Sequence, residues 1–143
     1  MTEQDHVKLA KAALAAINAH DVDAYLKNIH ESFVGESEAL GTVHGRDGAR
    51  QMMTTLLQAF PDLHIEIEQI ISSGNHVVTR GQLTGTHKGT FAGVPATNKK
   101  VKWHSCNVIE VKNGKAISSR IHADNVSLMR QLGVLPVPKA AAG

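Results

Sequence analysis

Three ionisable side chains alternate along a predicted strand near the end of the sequence: Arg120, His122 and Asp124. Because side chains of a strand alternate between its two faces, all three are predicted to lie on one face of a sheet. Carboxyl and imidazole groups are among the side chains that most often transfer protons in enzymes. The pattern would therefore support acid–base chemistry, provided that this face lines a cavity.

The partner of this strand is set by an Asn113-Gly114 turn, the strongest short-range hairpin signal in the sequence. A two-residue turn places Lys112 opposite Lys115 and fixes the register of the two strands. One predicted face carries Trp103, Ser105, Asn107 and Ile109 with Ser118, Arg120, His122 and Asp124. The other carries His104, Cys106 and Val108 with Ile117, Ile121 and Ala123.

Two interpretations of these faces stay open. In the first, the face with Asp124 is simply hydrated, and the aliphatic face with Ile117 and Ile121 packs on the helices. In the second, the Asp124 face lines a cavity, and the aliphatic face packs against a second subunit. A β-bulge would exchange the faces beyond it.

Composition limits the class of protein. The 143 residues suit one domain over 1–143, with a loose Pro- and Ala-rich tail after about residue 136. The chain has one cysteine, Cys106, no apolar run of the ~20 residues that span a bilayer, and no apolar leader segment. These features predict a cytoplasmic, membrane-free protein without an internal disulfide. A net charge of +2 and an aromatic content of 3% argue against nucleic-acid binding.

The nine histidines are spread almost evenly along the chain. None belongs to a His-x-His pair, an HExxH helix motif or a cluster with cysteine. We therefore predict no metal site.

Predicted helices come first and predicted strands afterwards. Apolar spacing predicts helices at 3–18, 22–29 and 47–59, with Asp21 and Asp47 as N-caps and a glycine-rich loop before the third. Beyond Pro61 the period changes to two, which predicts strands at 63–71, 75–85, 101–111 and 115–126 and then a short helix at 127–133. Segregated helices and strands predict an α+β domain with its helices over one face of an antiparallel sheet.

Residues 85–101, GTHKGTFAGVPATNKKV, place apolar side chains in a segment too rich in glycine for regular structure. We expect Phe91 and Val94, with Pro95 to stiffen the chain, to fold over the mouth of a pocket. This segment is called the lip below.

Four segments together resemble the SnoaL-like ester cyclases: HGRDGARQMMTTLLQAFPDL, GTHKGTFAGVPATNKKV, NGKAISSRIHAD and LMRQLG. That family is similar to polyketide cyclases within the NTF2-like superfamily. The resemblance spans residues 7–134 and keeps the order and approximate spacing of the segments. It implies a cone, in which a curved antiparallel β-sheet is wrapped by N-terminal helices around an interior pocket. We also expect a homodimer or higher homo-oligomer formed through the sheet.

The resemblance also implies site residues. The family's acid/base aspartate precedes the glutamine of the closing QLG by seven residues, and Asp124 holds that position here. The family's pocket histidine is best matched by His104; the predicted register puts it on the reverse face, so His122 is the alternative. Arg120 stands where many family members carry tryptophan, and it would favour an anionic or carbonyl-rich ligand if it faces the pocket rather than solvent.

The implied reaction is an aldol ring closure within a small hydrophobic carbonyl compound. A base removes a proton from a carbon flanked by ketone and ester groups, and the enolate attacks a carbonyl of the same molecule. Such a substrate delocalises its own enolate, so no metal or other cofactor is expected. The predicted substrate-binding residues are Arg120, Trp103, Ser105, Asn107, Phe91, Met53, Leu56 and Phe60.

Three other functions fit the same fold class. A ketosteroid-isomerase-like activity would use a tyrosine and a second acid, whereas the only tyrosine is Tyr25 and no second pocket acid is evident. A binding protein without catalysis is the other alternative. A scaffold that acts only through a dimer surface is a third.

Overall fold

The computed structural model describes residues 1–136, and the tail predicted after them lies outside the described residues. Six strands form one curved sheet in the order β2-β1-β6-β5-β4-β3. The elements, in chain order, are α1 (Glu3–Asn18), α2 (Val22–Leu26), β1 (Ile29–Ser37), β2 (Gly41–His44), α3 (Gly45–Ala59), β3 (His64–Ser73), β4 (His76–Thr86), β5 (Lys100–Lys112), β6 (Lys115–Ala123) and α4 (Asn125–Gln131).

Local side-chain chemistry explains two of the helix starts. Thr2 and Asp5 form a capping box at α1, and the Asp21 carboxylate accepts a hydrogen bond from the Ala24 N–H at the start of α2. The predicted cap of α3 by Asp47 is wrong. The chain passes from β2 into α3 at His44, which makes no side-chain cap bond, so the end of the strand sets this helix start.

The strands β1 and β2 correct the predicted order of helices and strands. They occupy 29–37 and 41–44, where we predicted the end of a helix and a loop. The segment is rich in polar residues, and Phe33 is its one fully buried large side chain. Strand β1 pairs parallel with β6, whereas all the other neighbouring pairs among the described strands are antiparallel.

A β-bulge in the hairpin corrects the predicted faces. Lys112 lies opposite Lys115 as expected, but Ile117 is an extra residue, because Val111 pairs with Ala116 and Glu110 with Ser118. Beyond the bulge every side chain of β6 is moved to the opposite face. The face that turns towards the helices, called the inner face, therefore carries Trp103, Ser105, Asn107 and Ile109 with Ser119, Ile121 and Ala123.

The lip follows β4 and packs against the end of α3. The N–H groups of Lys88 and Gly89 both donate to the Ala59 carbonyl. A Cβ atom at Gly89 would lie 2.5 Å from the Gln58 carbonyl oxygen, so this close approach requires glycine. Phe91 exchanges two backbone hydrogen bonds with Val94 and turns back into the core.

Aromatic contacts fix the lip over the sheet. The ring of Phe60, which is fully buried, lies with its centroid 5.3 Å from that of Phe91 and 5.0 Å from that of Trp103. The buried His87 imidazole accepts hydrogen bonds at Nδ1 from the hydroxyl and the N–H of Thr97. Because Nδ1 accepts the Thr97 N–H it carries no proton, so the Thr97 hydroxyl is the donor of the other bond, while its oxygen also accepts from the Lys99 N–H. Among residues 1–136 no helix has the length and apolar character needed to cross a bilayer.

Candidate functional site

A cavity lies between the helices and the inner face of the sheet, and it has two lobes. The main lobe has a volume of about 120 Å³ and runs from the lip towards the middle of the sheet. The inner lobe, of about 50 Å³, continues beneath α1. Six residues line both lobes and form what we call the waist: Leu14, Ile17, Tyr25, Thr79, Asn107 and Ser119.

The walls of the main lobe are largely apolar. Helix α3 contributes Met52, Met53 and Leu56, and the lip contributes Phe91. The remaining apolar side chains come from the sheet and the β1–β2 turn: Ala39, Leu40, Ile65, Ile67, Leu83, Trp103, Ile121 and Ala123. Within the described chain, no Asp, Glu, Lys or Arg lines either lobe.

Four of the six waist residues carry a polar group. Thr79 on β4 is paired with Asn107 on β5, and Ser119 lies on the neighbouring strand β6. The Ser119 hydroxyl donates to the Asn107 side-chain carbonyl over 2.6 Å. Because that bond occupies the oxygen of the amide, the Asn107 NH₂ group remains as a donor.

Tyr25 completes the waist from the helix side. Burial raises the pKa of its phenol to about 12, so the group stays protonated at neutral pH. The phenol is therefore a hydrogen-bond donor at this site and not a base. Sequence analysis missed this residue as a site residue.

Asp124 lies at the rim of the cavity. Its carboxylate caps α4 by accepting from the Ser127 N–H at 3.0 Å, and the residue is exposed. The residues on either side of it, Ala123 and Asn125, both line the main lobe. Asp124 itself lines neither lobe, and its carboxylate is bound to the start of α4.

The structure does not bring the two histidines to the cavity. His104 lies on the outer face with Nε2 3.2 Å from Glu68, as the predicted register of β5 required. His122 was predicted on the cavity face, but the bulge turns it outward, where Nδ1 lies 3.3 Å from Glu38. Neither residue lines either lobe.

The bulge also turns Arg120 outward, which decides between the two positions left open for it. Its side chain is 65% exposed on the outer face and lies 3.6 Å from Glu36. A guanidinium therefore does not select the ligand of this cavity. Arg120 faces solvent, which is one of the two positions that the sequence left open.

Most of the predicted wall residues do line the main lobe: Met53, Leu56, Phe91, Trp103, Ser105 and Asn107. Phe60 is the exception, because it is fully buried behind Phe91 and Trp103. Contact of these six residues with a ligand stays a prediction.

A period-two pattern in β4 could have identified part of the waist. Val77, Thr79, Gly81 and Leu83 are all buried, and the residues between them are less buried. Thr79 is the polar member of that buried row, which is the signal of a residue turned towards a cavity. Ser119 had no such signal, because its face depends on the bulge at Ile117.

No group of three or more His, Cys, Asp or Glu side chains within residues 1–136 is arranged to hold a metal ion. Cys106 is a free, half-buried thiol two residues after His104 in the chain.

Comparison with known proteins places this fold in a family. Residues 7–132, most of the chain, match the family described as SnoaL-like polyketide cyclase. The chain belongs to this family. The aklanonic acid methyl ester cyclase DnrD of Streptomyces peucetius is 26% identical over 130 residues, which cover 89% of this chain and 90% of DnrD.

Solved structures agree with the family. AclR of Streptomyces galilaeus, a proposed hydroxylase, superposes with a TM-score of 0.83 at 29% identity, covering 94% of this chain and all of AclR. A proposed SnoaL-like polyketide cyclase from Jannaschia Sp. CCS1 gives a TM-score of 0.84 at 21% identity over 93% of this chain and 94% of its own. The predicted NTF2-like α+β fold is confirmed.

Proposed function

We propose that this protein is a cyclase-type enzyme that closes a ring in a small hydrophobic carbonyl compound by an intramolecular aldol reaction. Its family and its cyclase relative DnrD support the reaction class. The observation that carries the proposal is a largely apolar cavity with neutral hydrogen-bonding groups inside and one carboxylate-bearing residue, Asp124, at its rim between two residues that line it, Ala123 and Asn125.

Asp124 is the proposed acid–base residue. Its carboxylate takes a proton from the carbon between two carbonyl groups and returns it to the alkoxide that the ring closure creates. To reach the substrate, the carboxylate exchanges its hydrogen bond with the Ser127 N–H for one to the substrate. Atoms balance within one molecule, so the product is an isomer of the substrate.

The cavity contributes mainly by shape. Apolar walls from α3 and the lip hold the body of the substrate in one orientation, which brings the enolate and the internal carbonyl of the attached chain together. No Asp, Glu, Lys or Arg lines the lobes among the described residues, and the His6 imidazole in the inner lobe is bonded through Nδ1 to the Gly74 carbonyl, so we assign the proton transfer to the rim.

The size of the cavity restricts what can enter. Pockets that enclose drug-sized ligands have volumes of about 300–1,000 Å³, whereas the main lobe has about 120 Å³. We infer that one ring of the substrate enters the main lobe, while the reacting side chain stays at the rim beside Asp124.

One observation favours a second candidate, a binding protein without catalysis. The Asp124 carboxylate is exposed and already serves as a helix cap. A carboxylate with only that structural role would leave a cavity suited to binding alone. The isomerase alternative has Tyr25 in the cavity but lacks the second acid among the residues that line it.

Turnover and binding can be measured separately. Aklanonic acid methyl ester, the compound named for DnrD, and simpler aryl β-keto esters are the test substrates. Because a cyclised product has an unchanged mass, chromatography with mass detection identifies it by a new retention time. Trp103 is the only tryptophan and lines the main lobe, so its fluorescence reports binding at one place.

Asp124→Asn has a matched control in Asp21→Asn, since Asp21 caps α2 as Asp124 caps α4. If the proposal holds, Asp124→Asn loses turnover by at least about a hundredfold, in the range of a lost general base, and keeps the fluorescence response. Asp21→Asn keeps both. Equal turnover in the wild type and in Asp124→Asn would refute the role of Asp124, and fluorescence binding without turnover of any substrate would favour the binding protein.

A further inference from the structure

The waist of the cavity is a cluster of polar side chains with unpartnered hydrogen-bond donors. Thr79 and Ser119, each 6% exposed, and Asn107 lie side by side across β4, β5 and β6, and Tyr25 faces them from α2. One hydrogen bond joins these four side chains, from the Ser119 hydroxyl to the Asn107 carbonyl. That bond uses the acceptor of the amide and leaves its two N–H groups.

Three side chains at the waist have no hydrogen-bond acceptor within the described residues: the Asn107 NH₂ group, the Tyr25 hydroxyl and the Thr79 hydroxyl. Among the described residues, the side-chain polar atoms that are fully buried and have no hydrogen-bond partner are His87 Nε2 and Arg130 Nε. The three waist groups are not among them, so they are not completely covered by protein atoms. Their polar atoms therefore face free space, and the space they share is the cavity.

A buried donor without an acceptor costs about 1–3 kcal/mol relative to a satisfied one. Several such donors at one narrow point are therefore better explained by a ligand acceptor than by chance. No lysine or arginine lines the lobes in the described part of the chain, and the His6 imidazole of the inner lobe is bonded through Nδ1 to the Gly74 carbonyl, so no permanent positive charge balances an anion there. The Asn107 NH₂ group can only donate and both hydroxyls can also donate, so the group that all three can bind is a neutral acceptor oxygen.

We propose that the waist binds one neutral carbonyl oxygen of the ligand, a ketone, quinone or ester carbonyl, with Asn107 and Tyr25 as the specificity-determining residues. The apolar lobes on both sides then take the hydrocarbon next to that carbonyl. This inference rests on the proposed function in one respect, that the cavity receives the substrate; it concerns recognition and not the proton transfer at Asp124.

A pair of small probes tests it. Indane and 1-indanone differ by one carbonyl oxygen and have a size that the main lobe admits. The single indole N–H signal of Trp103 in a two-dimensional ¹⁵N spectrum gives the dissociation constant of each probe, and the ratio of the two constants is the carbonyl preference.

Three variants separate the waist from the rest of the cavity. Asn107→Leu removes the amide at nearly constant volume, Tyr25→Phe removes only a hydroxyl, and Ser105→Ala removes a polar group of the main lobe that is not in the waist. We expect the carbonyl preference to fall about tenfold or more in Asn107→Leu and about fivefold in Tyr25→Phe, as the loss of one buried bond implies. It should stay within about twofold in Ser105→Ala.

Two results would overturn the inference. One is a carbonyl preference that is unchanged in both Asn107→Leu and Tyr25→Phe, or reduced equally by Ser105→Ala. The other is the absence of any signal change with either probe at millimolar concentration. Tyr25→Phe keeps the test open if Asn107→Leu does not fold.

The outcome is independent of the reaction. If the carbonyl preference depends on the waist but no substrate turns over, this inference stands and the cyclase proposal is contradicted. If a substrate turns over but the carbonyl preference does not depend on the waist, the cyclase proposal stands and this inference is contradicted. Asp124→Asn should keep the full preference, because Asp124 lies at the rim and not at the waist.

Discussion

The two faces of one sheet differ in the kind of polar group they carry. The inner face has neutral hydroxyl and amide groups among apolar side chains, and its polar atoms are unpartnered or bonded to each other. The outer face, opposite to it, carries charged residues in exposed pairs: Glu68 with Arg80 and His104, Glu36 with Arg120, and Glu38 with His122. Burial explains the difference, because an unpaired charge in an apolar wall is far more costly than a neutral donor.

A single extra residue decides which side chains of β6 belong to which face. Without the bulge at Ile117, the inner face would hold Arg120 and His122, and the outer face would hold Ile121. With it, the chain keeps its charged residues in water and its aliphatic residue in the cavity wall. The bulge is therefore the structural feature that makes an uncharged cavity possible.

The sharpest test of this comparison is a lysine at two neighbouring serines. Ser119→Lys places a charge in the inner wall and should lower the free energy of unfolding by about 3 kcal/mol or more. Ser118→Lys places the same charge on the outer face, opposite Glu110, and should change it by less than about 0.5 kcal/mol. Urea denaturation of both variants measures the difference.

A larger loss of unfolding free energy in Ser118→Lys than in Ser119→Lys would mean that β6 has no bulge and that Ser118 faces the cavity. Equal losses would mean that neither serine is in a wall that excludes water. The pair is matched in residue type, strand and new side chain, so local propensity cancels.

A second test uses volume instead of charge. Ser105→Phe fills the main lobe and should weaken 1-indanone binding about tenfold or more, or about 1.4 kcal/mol, while its stability changes little because the lobe is empty space. His104→Phe is the control on the outer face. Trp103 indole N–H titrations compare the two, and equal weakening by both would contradict the assignment of faces.

Particular residues show how much of this could be predicted from the sequence. The alternation in β3 to β6, the Asn113-Gly114 turn and the Asp21 cap are local signals, and each predicted the element that the structure contains. The pairing of β1 with β6 is not local, since it joins residues about eighty positions apart. A weakly apolar strand of this kind is specified by its partner rather than by its own pattern.

The candidate site was predictable only as far as its strand was regular. Residues of β5, such as Trp103 and Asn107, line the cavity as their alternation from Lys112 implied. Residues of β6 do not, because a bulge has no reliable sequence signal and one residue inverts every later assignment. Tyr25 was missed because its helix has five residues, too few to show a face.

A third test asks whether every surface carboxylate contributes as little to stability as the paired carboxylates of the outer face. The Asp62 carboxylate accepts from the Thr86 hydroxyl and the Thr86 N–H, both over 2.7 Å, and these bonds hold the pKa of Asp62 below its usual value. A lowered pKa contributes stability above the unfolded value of about 3.9, and that contribution is lost as the pH falls through the folded value.

We therefore expect Asp62→Asn to cost up to about 1 kcal/mol at pH 7, a figure reduced because the residue is exposed. The difference in stability between Asp62→Asn and the wild type should become smaller below about pH 4. Thermal unfolding of both proteins across pH 2.5–7 measures this difference. A constant difference at every pH would assign the effect to the lost hydrogen bonds and not to the charge.

The smallest expected effect belongs to the outer-face histidines. His104→Gln combined with His122→Gln removes both imidazoles from their glutamates and should change the free energy of unfolding by less than about 0.5 kcal/mol. Turnover should stay within about twofold, because neither ring lines the cavity. Unfolding and turnover are measured on the same preparation, so a tenfold loss of rate at unchanged stability would return a histidine to the mechanism. That result would require the outer face to meet the substrate, and the contrast between the two faces would then describe charge only and not function.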